Sequence, residues 1–372
     1  MAWIGRKKIA FVPVYRPNAH PPDQIPDNWS DQIMRRVIYD PDPATGTDQS
    51  LRAYIHTASS GIADLDPLIT AMQTVDQQDV PPNALEGAMG AQLRASGCSA
   101  AAIVMLGGVG AGTALVGGFW ARFVMVEGVG VWAMELMHCL TGFGDLYTLP
   151  GYSDYAKGDL GAFDEMACNC GTHPTAYTKA AIGWLDPSTI ATYGAGQQSY
   201  DLHSVGLVQP PSSGRWAAVR LGAQVPYTMV EARQKVDQFD RGIPAEGVIV
   251  YRVQTSSPQG FSQNNLVPAY RLASLQVGQS FTSDDGFKVQ VNAAIPGGFS
   301  VTVNNTLDTI VPDVMFSPAS IAAKRVHDAG LVPQFTGINH TGAWVSSQSP
   351  VGGTAVPRGS IVKMVLHTGP TP

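Results

Sequence analysis

Apolar positions follow two rhythms along this chain, and the change of rhythm divides it. Short continuous apolar runs predict buried strands over Ile9–Val14 and Ala101–Leu106. Leu85, Met89 and Leu93 lie four residues apart, which predicts an amphipathic helix over Asn83–Ala95. Val129–Leu140 also fits a helix and places Met134 and His138 on one face. Asp66 followed by Pro67 carries an N-cap signal, predicting a helix over Asp66–Thr74. From about residue 187 the pattern changes to strands broken by turns: Trp216–Leu221, Tyr227–Glu231, Val248–Val253, Phe287–Val291 and Phe299–Val303. Ser283-Asp284-Asp285-Gly286 reads as a hairpin turn, since Asp and Gly tolerate left-handed backbone. Strands at this spacing suggest a β-sandwich. Beyond Val311, Ser317-Pro318 starts a helix that Gly330 ends, and strands are expected over Val332–Phe335 and Ile361–Leu366. The reading is an α+β multidomain chain: 1–186 an α/β domain, 187–309 a β-sandwich, and 310–372 a small α+β module.

Composition narrows the function classes. Of 372 residues 44% are hydrophobic and 14% charged, which suits a globular chain rather than a disordered one. Forty Gly and 27 Pro favour short strands and many turns. A net charge of −6 without a basic stripe argues against nucleic acid as a partner. The uncharged stretch Ser99–Ala121 is long enough to raise a membrane span, but Gly107, Gly108, Gly110, Gly112, Gly117 and Gly118 interrupt it. It reads as strand, glycine-rich loop and second strand, so no span is expected. The apolar run after Arg6-Lys7-Lys8 is too short for a signal-peptide core and reads as a first strand, so a signal has been removed or export takes another route. The four cysteines make no disulfide scaffold: a Cys168–Cys170 bridge would be strained, and a Cys98–Cys139 bridge is left open.

Few motifs carry chemistry. Gly108-x-Gly110-x-Gly112 lacks the dinucleotide spacing, and neither a G-x-S-x-G elbow nor a P-loop is present. Asp40, Asp42 and Asp48 make calcium a candidate, but the prolines and the absent bidentate glutamate do not fit an EF-hand, and a solvated loop is the simpler reading. The sharpest feature is Met134-Glu135-Leu136-Met137-His138. It matches the zinc-protease helix H-E-x-x-H except that Met134 stands where the first histidine belongs.

Two resemblances extend that feature. Val311-Pro312-Asp313-Val314, Ala329-Gly330-Leu331-Val332 and Gln348-Ser349-Pro350-x-x-Gly353-Thr354-x-Val356-Pro357-Arg358-Gly359-Ser360 resemble a PASTA domain. This implies a bacterial protein outside the cytoplasm, with peptidoglycan or another cell-surface component as partner; the plain alternative is a spacer that binds nothing. Residues 1–306 resemble the immune inhibitor A type of secreted bacterial metallopeptidase. The matching pieces are Leu51-Arg52-x-Tyr54-Ile55, Glu135-x-x-His138-x-Leu140, Asp145-Leu146-Tyr147, Phe163-Asp164-Glu165-Met166, His173-Pro174-x-Ala176-x-x-Lys179, Val230-Glu231-x-Arg233-Gln234 and Gly247-Val248-Ile249-Val250-Tyr251.

The resemblance implies a metzincin-like fold with His138 and Asp145 as zinc ligands, Glu135 as general base, and Met166 in a methionine turn under the metal, with Tyr147 nearby. Two departures oppose this. A thioether at Met134 is a soft donor and a poor zinc ligand. Asp145 also lies one residue further from His138 than the family's usual spacing, so the extra residue either bulges or carries Asp145 away. Cys168, Cys170 and His173 are candidate substitute ligands, although C-x-C-x-x-H is not a standard zinc spacing. The plain readings are a packing methionine, a relic glutamate and a core histidine. The expectation is therefore a pseudopeptidase with a surface, cell-wall-binding or assembly role. The alternative is an active zinc endopeptidase that uses Glu135 on a protein substrate.

Overall fold

The computed structural model describes residues 2–108, 112–146, 160–194, 196–207, 214–222, 227–255, 266–283, 285–337 and 342–368. It is a mixed α and β structure with several sheets, divided into two compact units. Met1–Ala191, Leu202–Ser274 and Pro296–Gly298 form the first, and Thr192–Asp201, Leu275–Ile295 and Phe299–Pro372 the second.

In the first unit the chain runs β1 (Gly5–Tyr15), α1 (Trp29–Ile38), α2 (Leu51–Ala58), β2 (Ala63–Ile69), β3 (Gln73–Thr74), α3 (Ala91–Ala95), β4 (Ala100–Met105), β5 (Thr113–Ala114), β6 (Trp120–Val124) and α4 (Val129–Thr141). Its main sheet has the order β2-β1-β4-β6-β5, with β3 also on β1. Every pairing is parallel except β5 on β6. Alternation decides which side chain faces which layer. Ile9 and Phe11 of β1 join a core built with α1, α2 and α4, whereas Ala10, Val12 and Val14 face Val80, Leu85 and Leu93 on the α3 side. Cys98 belongs to the second core and Cys139 to the first, so the sheet separates them and both are free.

The expected strands Ile9–Val14 and Ala101–Leu106 are β1 and β4. The helix expected over Asp66–Thr74 is instead β2 and β3. Pro67 pairs with Ile9 in β2, the edge strand, where a residue without an N–H is tolerated because its outer side needs no ladder bond. The helix expected over Asn83–Ala95 is shorter: a π-helical turn at Glu86–Gly90 runs into α3, with Leu85 and Leu93 buried. No helix among the described residues is long and apolar enough to cross a membrane.

After α4 come α5 (Glu165–Cys168), α6 (Ala176–Ile182), β7 (Ile190–Thr192), β8 (Gln198–His203), β9 (Ala218–Leu221), β10 (Tyr227–Arg233), β11 (Gly247–Thr255) and β12 (Leu266–Leu275). Strands β12-β11-β10-β9-β7 form a five-stranded sheet, of which β9, β10 and β11 lie in the first unit. The second unit contains β13 (Ser280–Thr282), β14 (Phe287–Ile295) and most of β15 (Gly298–Asn305), in a four-stranded sheet of order β13-β14-β15-β8. The two sheets of residues 187–309 are thus assigned largely to different units.

The C-terminal segment forms β16 (Asp308–Ile310), α7 (Ala319–Asp328), β17 (Val332–Gly337), β18 (Trp344–Ser349), β19 (Ala355–Pro357) and β20 (Ile361–His367). Strands β17-β20-β18 make one sheet, and β16 pairs with β19. Along β20 exposed and buried residues alternate strictly, and Val362, Met364 and Leu366 meet Ala322 and Val326 of α7 in one core. Pro318 is the cap residue rather than the first helical one, and Gly330 follows the helix with φ +72°.

Candidate active site

Helix α4 is apolar almost all round and is correspondingly buried on almost every side. Trp132 stacks on Phe123 at 4.7 Å and on Phe11 at 6.1 Å, which fixes the helix to the sheet. At Gly130 a Cβ would come within 2.3 Å of the Asn169 carbonyl, so only glycine lets the chain after α5 approach. Gly142 ends the helix in the left-handed region at φ +73°, its N–H donating to the His138 carbonyl.

The turn that follows returns Asp145 to the helix. Thr141 Oγ1 donates to the Met137 carbonyl at 2.6 Å and accepts the Phe143 N–H at 3.1 Å. The Leu146 N–H donates to the Met166 carbonyl at 2.8 Å. Asp145 Oδ1 then lies 2.9 Å from His138 Nε2, so the turn keeps the two side chains within hydrogen-bond reach. His138 Nδ1 is 2.6 Å from the Phe143 carbonyl. A carbonyl only accepts, so Nδ1 carries a proton, and the carboxylate at Nε2 favours a second one. Burial alone would lower the His138 pKa, but Asp145 and Glu135 outweigh it and the pKa is raised.

Glu135 is 7% exposed, and burial pushes its carboxyl up to about 7, aided by Asp145 and Glu127 and opposed by His138. Gly112 passes so close that a Cβ there would lie 3.1 Å from Glu135 Oε1 and 2.4 Å from Val131 Cγ1. Met134 is 2% exposed and belongs to the main core, which is the packing role its chemistry suits. Met166 is fully buried in α5, where Asp164 caps its N–H. Tyr147 lies outside the described residues.

The substitute ligands are committed elsewhere. Cys168 and Cys170 are joined in a disulfide, the bridge that their spacing argued against, and so present no thiolate. His173 is fully buried; its Nε2 is 2.8 Å from Asp237 and its Nδ1 is 3.1 Å from Lys179 Nζ. The loop carboxylates are also engaged. Asp40 meets Arg35 at 3.0 Å, Asp42 accepts the Ala44 N–H at 2.8 Å, and Asp48 accepts the N–H groups of Asp40 and Ser50. A catalytic zinc needs three protein donors and an open position. Here two suitable donors are bonded to each other, the third place holds a thioether, and among the described residues no three His, Cys, Asp or Glu converge as a metal site. The described residues bring two donors together, His138 and Asp145, and hold the Met134 thioether one turn before His138.

Sequence reasoning missed a buried polar hub beside this helix. Arg233 donates to Asp240 at 2.9 Å and to the His173 carbonyl at 3.1 Å, and it also bonds the Phe163 carbonyl. Glu231 accepts from Ala176 N–H and Tyr251 O–H, each at 2.8 Å. Asp164 accepts from Met166, Thr175 and Thr178. Burial raises Glu231 to about 7 and Glu165 to about 8, and lowers Lys179 to about 8. The legible signal was Glu231-x-Arg233 within an otherwise apolar strand, since charges buried together must be paired.

No family model matches the chain, and no curated protein matches it.

Proposed function

We propose that this protein is a pseudopeptidase, a metallopeptidase-like chain of the immune inhibitor A type whose active-site helix no longer holds catalytic zinc. On this reading the first 186 residues are a metzincin-like domain and residues 310–372 a PASTA module, acting at the bacterial surface or cell wall in binding or assembly. The observation that carries it is the buried Met134 thioether one turn before His138, whose Nε2 is already bonded to Asp145. A Cys168–Cys170 disulfide suits an oxidising compartment, which supports a place outside the cytoplasm. The buried hub and the tightly packed α4 support retention of the scaffold without the chemistry.

The competing reading, an active zinc endopeptidase, draws on one fact: His138 and Asp145 do converge, with the raised carboxyl of Glu135 one turn away. Glu135 would then take a proton from a water, and zinc would supply the polarisation of that water. Metal analysis of the purified chain together with a general peptidase assay separates the two. The pseudopeptidase should carry little zinc and no Glu135-dependent hydrolysis, and Met134→His should raise its zinc content. Stoichiometric zinc with hydrolysis abolished in Glu135→Gln would overturn the proposal. Pelleting of the full chain with purified peptidoglycan tests the surface partner, and recovery entirely in the supernatant would remove it.

A further inference from the structure

Strands β1 and β4 are parallel neighbours, and the chain leaves them in opposite directions. After β1 it passes through α1 and α2 to β2 on one side; after β4 it goes to β5 and β6 on the other. Such a divergence opens a crevice beyond the carboxyl ends of the strands, the place where open parallel sheets take ligands. Here the crevice is a pocket of about 490 Å³, within the range of small-molecule sites. Met105 places it on the α3 face of the sheet.

We propose that this pocket binds a small organic monocarboxylate with an apolar body. Its floor is built on a buried ion pair. Arg16, just past β1, bonds Asp23 through Nε at 3.0 Å and Nη2 at 2.8 Å, and both side chains are nearly inaccessible. The same guanidinium donates to the Gln78 carbonyl at 2.6 Å and the Gly107 carbonyl at 3.2 Å, tying together the segments after β1, β3 and β4. Gly108 lies over it with φ +98°, where a Cβ would sit 2.2 Å from Nη2. Met105 and Pro21 supply apolar wall.

The carboxylate position is marked by the chain itself. Arg122 Nη1 meets Asp79 Oδ1 at 3.0 Å and the Val80 carbonyl at 2.9 Å. Arg122 is largely buried, with a side chain 13% exposed, whereas that of Asp79 is 93% exposed. Asp79 is the exposed half of this pair, so an incoming carboxylate can replace it on Arg122 while its apolar body enters against Met105.

Calorimetric titration of the full chain with 3-phenylpropionate, with 3-phenylpropionamide as neutral control, tests this. The acid should bind at least about ten-fold more tightly than the amide, as expected when a charged hydrogen bond is lost. Asp79→Ala removes that competing carboxylate and should tighten binding of the acid by about three-fold. Arg122→Gln should weaken it by about ten-fold or more. Should that variant unfold, Gln78→Glu adds a negative charge at the exposed rim and should weaken the acid but not the amide. Equal binding of acid and amide, or no binding of the acid to either the parent or Asp79→Ala at about ten millimolar, would overturn the site.

Discussion

Two histidine–aspartate pairs of nearly the same length lie in the first unit, and they hold their protons differently. His138 meets Asp145 at 2.9 Å and has a raised pKa; His173 meets Asp237 at 2.8 Å and has a lowered one. Both rings are buried, and burial lowers both; Asp145 and Glu135 overcome it at His138, whereas Lys179 adds to it at His173. His138 Nδ1 faces the Phe143 carbonyl, which demands a proton. His173 Nδ1 faces the Lys179 ammonium, which demands a lone pair and repels a second charge; burial, the larger cause, acts in the same direction. A carboxylate partner alone does not make an imidazolium. Burial and the other charges around each ring decide.

The widest separation between the two regions should appear on deleting the hub's central cation. Arg233→Met leaves Asp240 and Glu231 buried without it and should cost about 3–5 kcal/mol in urea unfolding. A loss below about 1 kcal/mol would mean that the hub is not a stabilising network. Glu135→Gln should act in the opposite sense. A carboxyl raised from 4.5 to about 7 makes the fold lose stability as pH rises through that window, because the folded state holds the proton longer. The variant should be more stable than the parent above about pH 7, by about 2 kcal/mol, with a flatter profile below it.

Asp145→Asn tests the first pair directly. The raised His138 pKa means that the pair's contribution is complete below the free-imidazole value of 6.5 and fades as pH rises through the folded value. The substitution should therefore cost about 1 kcal/mol at about pH 5.5 and less at about pH 9; an equal cost at both would show that charge is not involved. Lys179→Met should have the smallest effect, raising the His173 pKa in an NMR titration. If that pKa stays low, burial alone sets it and the comparison with His138 loses its explanation.

Much of the scaffold is readable along the chain. Continuous apolar runs mark β1 and β4, and the length and texture of Val129–Thr141 mark α4. The misreading at Asp66 arose because Asp-Pro signals a helix start and Pro also suits an edge strand; the neighbouring β1 settled it by pairing with Ala63–Ile69. At the candidate site the residues Glu135, His138 and Asp145 were all legible as chemistry-bearing. Whether Asp145 reached His138 depended on the Thr141 and Gly142 turn. The Cys168–Cys170 bridge ran against its spacing, and it removed the thiolates that were candidate metal ligands.

By itself the sequence determined periodicity, a methionine at position 134, and the residue types available for chemistry. These are local properties, set by side-chain identity and spacing. Only the tertiary structure decided protonation, pairing and partnership: that His138 closes on Asp145, that His173 is claimed by Lys179 and Asp237, and that Arg16 and Arg122 border a pocket at the sheet's carboxyl edge. Charge states depend on burial and on neighbours that are remote along the chain, such as Arg233 and His173 or Arg16 and Gly107. No local pattern encodes those distances, because they arise when separate segments pack.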